Sequence, residues 1–190
     1  MHTQDYQNFK GAGFKAQLKA ISDLFGERGL QKVLIASSVE LRALAKKKLL
    51  DNEWVPDRLS GELLAKADQV LGKGDLSLIR KIGYMLAKDN LSGIYKAFIK
   101  LSSIEAILKR ANLVWKKYYS HGYIDVIDKT PGHYIFEVAN YQPYTSTCIG
   151  LLGWLDMFLE VYKLKGKATH TECKLRGGTR CIFELIWEVK

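Results

Sequence analysis

Three cysteines and one histidine near the C-terminal end carry the clearest chemistry in this 190-residue sequence. Cys173 and Cys181 flank Arg176-Gly177-Gly178, where glycine supplies the positive φ that a tight turn needs. A three-residue loop there would place the two cysteines opposite each other on paired strands. Their Cβ atoms would then be about 4.5–5.5 Å apart. This spacing suits two thiolates that share one metal ion.

Cys148 and His170 complete the set. Cys148 falls in the first turn of a predicted helix, where the helix dipole lowers the pKa of a thiol. His170 lies three residues before Cys173. The four side chains have the composition of a structural Cys₃His zinc site. Strict strand alternation would send His170 to the face opposite Cys173, so a bulge must intervene. Glu172 has the same problem as a ligand, which leaves water as another fourth ligand. Three buried, metal-free thiols remain the alternative.

The first two-thirds of the chain has the apolar periodicity of helices. Ser37-Ser38-Val39-Glu40 offers a helix start, and Trp54-Val55-Pro56-Asp57 indicates an extended connector. The predicted helical segments are residues 14–25, the segment after Ser38, and residues 59–71, 76–86, 91–98 and 104–114.

The rest of the chain alternates in the manner of strands. Residues 123–139 predict a hairpin around the turn Lys129-Thr130-Pro131-Gly132. Thr145-Ser146-Thr147 resembles a helix cap before the apolar segment 148–162, and a second hairpin ends the chain. We therefore predict one α+β domain over residues 1–190. Its helical part, about 1–114, packs on a four-stranded antiparallel sheet, and its strand-rich part, about 115–190, has the order ββαββ.

Composition narrows the classes of function. The formal net charge of +9 favours anionic partners, but the basic residues are spread along the chain. No nucleic-acid-binding signature accompanies them, so we do not expect nucleic acid as a partner. Contact with a membrane surface stays a minor alternative. The N-terminal residues lack the layout of a signal peptide, which predicts a cytoplasmic protein with reduced thiols. No nucleophile elbow, P-loop or dinucleotide motif occurs, so we expect no catalytic residues and no enzyme.

Residues 172–184, from Glu172-Cys173 through Arg180-Cys181 to Glu184, resemble the end of the 4-vinyl reductase-type domain. Further likeness, to a paralogous family of myxobacterial type, covers most of the chain. The segments that carry these resemblances are residues 172–184, 119–122, 148–154, 54–56 and 71–75. Both groups belong to a superfamily that also contains haem-nitric oxide sensors and subunits of the TRAPP tether. The resemblance implies helices packed on an antiparallel sheet, with a buried helix between two hairpins.

The resemblance also bears on cofactors. In phenol-sensing activators, a domain of this type holds zinc on three cysteines and a glutamate. The matching positions here are Cys148, His170, Cys173 and Cys181, with histidine in place of glutamate, and we expect zinc. Haem is not expected. The helix predicted over residues 104–114 contains no histidine, and Tyr119-Ser120-His121 departs from the Tyr-x-Ser-x-Arg motif of the haem sensors.

The function that the resemblance implies is non-enzymatic binding or sensing of a small apolar molecule, reported through contact with another protein. The candidate ligand-binding residues are Trp115, Tyr118, Tyr123, Phe136 and Trp154, although each is also explained as core. The alternative is a ligand-free scaffold or tether component that works as a homodimer.

Overall fold

The structure is a computed structural model that describes residues 7–90 and 103–189. The helix expected over residues 91–98 lies outside the described residues, as does His2. The described helices are α1 (Gly11–Ile35), α2 (Val39–Lys46), α3 (Asp57–Leu71), α4 (Ser77–Asn90), α5 (Ile104–Leu108), α6 (Ala111–Tyr118) and α7 (Thr145–Val161). The strands are β1 (Asn8–Lys10), β2 (Trp54–Pro56), β3 (Tyr123–Thr130), β4 (His133–Ala139), β5 (Gly166–Glu172) and β6 (Ile182–Trp187).

The helical part is built around the apolar faces of α1, α3 and α4. Phe14, Leu63 and Ile82 come from one helix each and are fully buried in the same core. Gly26 interrupts α1 with a φ of 70°, a conformation that costs glycine little. The predicted start of α2 is confirmed, because the Ser38 hydroxyl accepts a hydrogen bond from the backbone N–H of Leu41.

The second part is a four-stranded antiparallel sheet in the order β3-β4-β6-β5. Alternate side chains of β4 and of β6, such as Tyr134, Phe136, Phe183 and Leu185, are buried, as period-2 alternation requires. These side chains form a core with the apolar face of α7, which lies between the two strand pairs in the chain. The predicted α+β class and the four-stranded antiparallel sheet are confirmed.

Helices α4 and α7 join the two parts at very close range. A Cβ atom added to Gly83 would overlap the carbonyl oxygen of Gly150, and one added to Gly153 would overlap that of Arg80. Arg80 also forms a two-pronged ion pair with Asp156 on α7, at 2.6 and 2.7 Å. The contact is backbone against backbone, so it tolerates no larger side chain at Gly83 or Gly153.

Three local predictions are wrong. The helix predicted over residues 104–114 is two helices, α5 and α6, because the helix ends at the cap residue Lys109 and restarts after Arg110. Thr145 does not cap α7: the helix begins at Thr145, and the cap position is held by Tyr144 without a side-chain hydrogen bond. The connection between β5 and β6 is also longer than a three-residue loop. It includes a 3-10 helix (Lys174–Arg176).

No helix within residues 7–90 and 103–189 is both long enough and apolar enough to cross a membrane.

Candidate functional site: an apolar cavity and a cysteine-histidine cluster

A cavity lies between the helices and the sheet. About 120 Å³ of it is open to the centre of a water molecule. Its walls come from α1, α3, α4, α5, α6 and α7 on the helical side and from β3, β4 and β6 on the sheet side. None of its lining residues in the described part of the chain carries a formal charge. Cavities of about 150 Å³ in other proteins bind benzene, so this space fits a molecule of one ring.

Aromatic side chains form much of the wall. Trp115, Tyr118, Phe136 and Trp154, four of the five residues predicted to contact a ligand, line the cavity. Trp115 is stacked on Tyr119 with the ring centroids 4.1 Å apart. Its indole N–H donates a 2.9 Å hydrogen bond to the backbone oxygen of His121, so it presents only ring surface.

Tyr123, the fifth predicted residue, does not line the cavity. It lies at the start of the edge strand β3 and its side chain is 38% exposed. The placement follows from strand alternation. The next residue, Ile124, points to the other face of the sheet and contributes to the lining instead.

One end of the cavity is polar. Gln17 on α1 and Ser60 on α3 are both buried and hydrogen-bond each other at 2.9 Å. Thr147 on α7 also lines this end, 3.1 Å from the hydroxyl of Tyr141. Tyr119 is another lining residue.

Behind this polar end lies Asp57, the first residue of α3. Its Oδ2 accepts a hydrogen bond from the Tyr141 hydroxyl, while its Oδ1 has no partner. The residue is 1% exposed. Burial raises the pKa of Asp57 from its ordinary value of 3.8 to about 7, against the lowering effect of the Tyr141 hydrogen bond.

The other titratable groups that face Asp57 do not ionise near neutral pH. Burial, and next the charge of Asp57, raise the pKa of both Tyr141 and Tyr119 well above 10. Beyond Tyr119 lies Cys148, whose thiol pKa is also raised, mainly by burial. Asp57 is therefore the group of this network that changes charge around pH 7.

Sequence reasoning missed this network of Thr147, Tyr141 and Asp57. Asp57 is separated from Tyr141 by 84 residues, and an acidic residue at a helix start is ordinarily a solvated one. In the folded chain, Tyr141 in the loop after β4 contacts its buried carboxylate.

The four predicted metal ligands do converge. The Sγ atoms of Cys148, Cys173 and Cys181 and a ring nitrogen of His170 all lie within 4.8 Å of one another. The bulge that this requires is present, since the pairing of β5 with β6 shifts register between His170 and Glu172. The cluster joins α7 to the end of β5 and the start of β6.

The shifted pKa values of His170 and Cys148 favour the neutral forms of both side chains. Burial, and next the charge of Arg176, lower the pKa of His170 to about 4. Its buried Nε2 has no hydrogen-bond partner, while its ring stacks on Phe183 at 4.2 Å. The thiol pKa of Cys148 is raised by burial and the neighbouring sulfurs, so the expectation of a lowered value is wrong. Desolvation outweighs the helix dipole there.

Glu172 is not placed as a ligand. Its Oε1 accepts hydrogen bonds from the Thr179 N–H, the Thr179 hydroxyl and the Arg180 N–H, at 2.9, 3.0 and 2.9 Å. These bonds hold the loop between Cys173 and Cys181 in shape. Glu172 is thus a support for the cluster and His170 is its fourth member.

Comparison with known proteins places the fold. No family model and no curated protein match the sequence. Among solved structures, the chain is similar to an H-NOX protein from S. oneidensis in the Fe(II)NO ligation state, with a TM-score of 0.74 and 13% identity over 95% of this chain and 99% of that one. It is also similar to an unliganded Fe(II) H-NOX mutant from K. algicida, with a TM-score of 0.73 and 17% identity over 95% and 97% of the two chains.

These likenesses correct two expectations. Identification with the 4-vinyl reductase-type domain and its TRAPP-containing superfamily is wrong, because the neighbours found are H-NOX (haem nitric oxide and oxygen-binding) structures. The expectation that haem is not a cofactor is wrong for the same reason. Another similar solved structure, with a TM-score of 0.72 and 14% identity, is described as probing haem distortion in the H-NOX family. The comparisons lend no support to zinc or to the tether alternative.

The described residues match a haem only in part. The aromatic wall suits the apolar body of a porphyrin. In the described residues, the lining contains no histidine, cysteine or methionine. Tyrosine is another residue type that ligates haem iron, and the lining contains Tyr118 and Tyr119. The volume of about 120 Å³ is that of a one-ring ligand. The residues present therefore do not fit a histidine-ligated haem in this conformation.

Proposed function

We propose that this domain binds a small apolar molecule in the cavity between its helices and its sheet, and signals occupancy to a partner protein. The observation that carries the proposal is the cavity itself: enclosed by both parts of the fold, lined by aromatic and aliphatic side chains, and free of charged lining residues in the described chain. The proposal is for a binding domain and not for an enzyme. The similar solved structures are described by ligation state and haem, and not by a reaction.

The signalling part of the proposal rests on where the cavity lies. Lining residues come from the helical core, such as Leu64, and from the sheet core, such as Phe183. A bound molecule contacts both, so it favours the arrangement of helices and sheet that encloses it best. The ligand thereby increases the population of this arrangement. A partner protein that binds only this arrangement then binds the occupied domain more tightly than the empty one.

The test is thermal unfolding with candidate ligands. At 100 times the dissociation constant, a ligand stabilises the folded state by about 2.7 kcal/mol. This raises the melting temperature of a protein of this size by roughly 5–10 °C. The panel contains toluene, indole, a medium-chain alcohol and haem, with haem also followed by its absorbance spectrum. Binding of haem would identify it as the ligand despite the missing histidine.

A cavity-blocking variant makes the result specific. A Cβ atom at Gly150 meets no atom within 4 Å, and Gly150 lines the cavity, so Gly150→Leu fills the space without a backbone clash. The matched control is Val161→Leu at an exposed position of the same helix. Ligand stabilisation should vanish in Gly150→Leu and persist in Val161→Leu. No stabilisation of the wild-type protein by any member of the panel would refute the proposal.

We also propose that Cys148, His170, Cys173 and Cys181 together bind one thiophilic metal ion. Ligands on a shared tetrahedral ion, at about 2.3 Å for sulfur and 2.0–2.1 Å for nitrogen, are about 3.5–4 Å apart. A cluster that already lies within 4.8 Å needs only small movements to reach this geometry. The unpartnered Nε2 of His170 is a second, independent indication, because buried polar atoms ordinarily have a partner.

Metal analysis of the purified protein, with cobalt substitution, tests this second proposal. We expect about one metal ion per chain and sulfur-to-cobalt charge-transfer bands. Cys173→Ser should remove both, while Thr171→Ser, at the bulge but outside the cluster, should keep them. A metal content near zero, unaffected by Cys173→Ser, would leave the cluster as packed thiols.

A further inference from the structure

Gln17 and Ser60 form a buried polar pair in the cavity wall whose hydrogen bonds are incomplete. Gln17 is 3% exposed and Ser60 is 5% exposed. Gly13 lies one turn before Gln17 on α1, Leu64 lies one turn after Ser60 on α3, and all four residues line the cavity. Residues one turn apart share a face of a helix, so the pair lies on the faces of α1 and α3 that enclose the cavity.

The hydrogen bonds of this pair leave one amide hydrogen without a partner. Gln17 Nε2 donates to the Ser60 hydroxyl at 2.9 Å, and that hydroxyl donates to Gln17 Oε1 at 3.2 Å. A glutamine amide has two N–H donors that point in different directions, so one hydroxyl oxygen accepts only one of them. Half a turn of the amide exchanges its nitrogen and oxygen but gives the same count. Within residues 7–90 and 103–189, no other group bonds either side chain.

The surroundings of Gln17 direct the remaining N–H to the cavity. Phe14 and Ile21, three residues before and four residues after Gln17 on α1, are fully buried and apolar, so they offer no acceptor. A buried polar group without a partner is rare in folded proteins, because an unmade hydrogen bond costs free energy. A ligand in the cavity can supply the missing acceptor.

We propose that Gln17 determines which ligand this cavity prefers, by donating its remaining N–H to an acceptor oxygen, such as a carbonyl oxygen, on an uncharged and otherwise apolar molecule. The inference rests on the proposed function, because it concerns the ligand of the same cavity. An ionised ligand is disfavoured, since no lining residue in the described chain carries a formal charge that could compensate it. A hydrocarbon of the same shape fits the apolar wall but leaves the amide hydrogen unpaired.

Acetophenone and α-methylstyrene are the appropriate probes, because they share one shape and differ only in a C=O group in place of a C=CH₂ group. Dissociation constants are measured by calorimetry for the wild-type protein, Gln17→Met and Gln31→Met. Methionine resembles glutamine in length but has no N–H donor, and Gln31 is an exposed residue of the same helix. A double variant, Gln17→Met with Ser60→Ala, also removes the partner hydroxyl, so that no polar group is left unpaired to destabilise the fold.

The measured quantity is the ratio of the affinity for acetophenone to the affinity for α-methylstyrene. Gln17→Met and the double variant should both lower this ratio by about 2–10-fold, as the loss of one neutral hydrogen bond predicts. Gln31→Met should leave it unchanged. The infrared C=O band of bound acetophenone gives a second readout. In the wild-type protein it should lie at lower wavenumber than in hexane, and it should move to higher wavenumber in Gln17→Met.

The lining also contains tyrosine, serine and threonine hydroxyls that can donate to a carbonyl. An unchanged ratio in both Gln17 variants, with both probes still bound, would assign the selection to these hydroxyls or to none. That result would overturn this inference and leave the proposed function standing, and so would a C=O band at its hexane position in the wild-type protein. Failure of both probes to bind the wild-type protein would count against the inference and the proposed function together.

Discussion

The carboxylate of Asp57 makes the stability of the protein depend on pH in a direction opposite to that of an ion-paired aspartate. Its pKa is about 7 in the folded state against 3.8 ordinarily, because burial disfavours its charged form. The folded state therefore binds the proton more tightly than the unfolded state. The contribution of Asp57 is fully favourable below about pH 4 and is lost as the pH rises through 7.

The magnitude follows from the two values. The complete difference corresponds to about 4 kcal/mol, and about 2–3 kcal/mol of it falls between pH 5 and pH 8. Asp57→Asn removes the titration. The free energy of unfolding of the wild-type protein, relative to Asp57→Asn, should therefore fall by that amount across this interval and stay flat above pH 8.

Urea unfolding at pH 5, 6, 7 and 8 measures both proteins, and equal m-values establish that the same folded state is compared. Tyr141→Phe serves as a second variant. It removes a hydrogen bond that lowers the pKa of Asp57, so the fall in stability should shift to higher pH. Parallel pH profiles for the wild-type protein and Asp57→Asn would refute the assignment of a raised pKa to this carboxyl group.

Other predictions concern the helix contact and the cysteine loop. Gly153→Ala should destabilise the protein by about 1–3 kcal/mol, because its Cβ atom overlaps the carbonyl oxygen of Arg80. Gly150→Ala on the same helix should stabilise the protein by up to about 1 kcal/mol, because its Cβ atom meets no other atom. Chemical unfolding compares the two variants, and equal effects would contradict the close contact. Gly177→Ala should cost about 1–2 kcal/mol through its φ of 86° alone, since no atom lies near its Cβ position, and a neutral result in the same assay would count against this conformation. Glu172→Gln should loosen the loop that it anchors and speed amide hydrogen exchange at Thr179 and Arg180, and unchanged exchange would deny that role.

The cysteine-histidine cluster was accessible to sequence reasoning because most of it is local. Three of its members lie within residues 170–181: His170 on β5, and Cys173 and Cys181 at the two ends of the connection from β5 to β6. Alternation along a strand even predicts that a bulge must precede Cys173, and the register shift occurs there. The shape of the loop between Cys173 and Cys181 could not be predicted from the sequence in the same way. A 3-10 helix and the hydrogen bonds to Glu172 replace the expected tight turn.

The helices and the sheet were predictable from apolar periodicity, but the space between them was not. Trp115 and Tyr123 have the same aromatic character in the sequence, yet one lines the cavity and the other is exposed on an edge strand. Which aromatic residue faces the cavity depends on how the helical part is placed over the sheet, and periodicity within one element carries no information about that placement.

The raised pKa of Asp57 could not be predicted from the sequence either. A carboxyl group at a helix start is normally solvated, and nothing in Trp54-Val55-Pro56-Asp57 distinguishes it. Its pKa is raised because the folded chain buries it, and the hydrogen bond from Tyr141, 84 residues away, opposes that rise. The pH dependence of stability expected from this carboxyl group is therefore a property of the assembled chain, and it is tested by changing Asp57 or its long-range partner Tyr141.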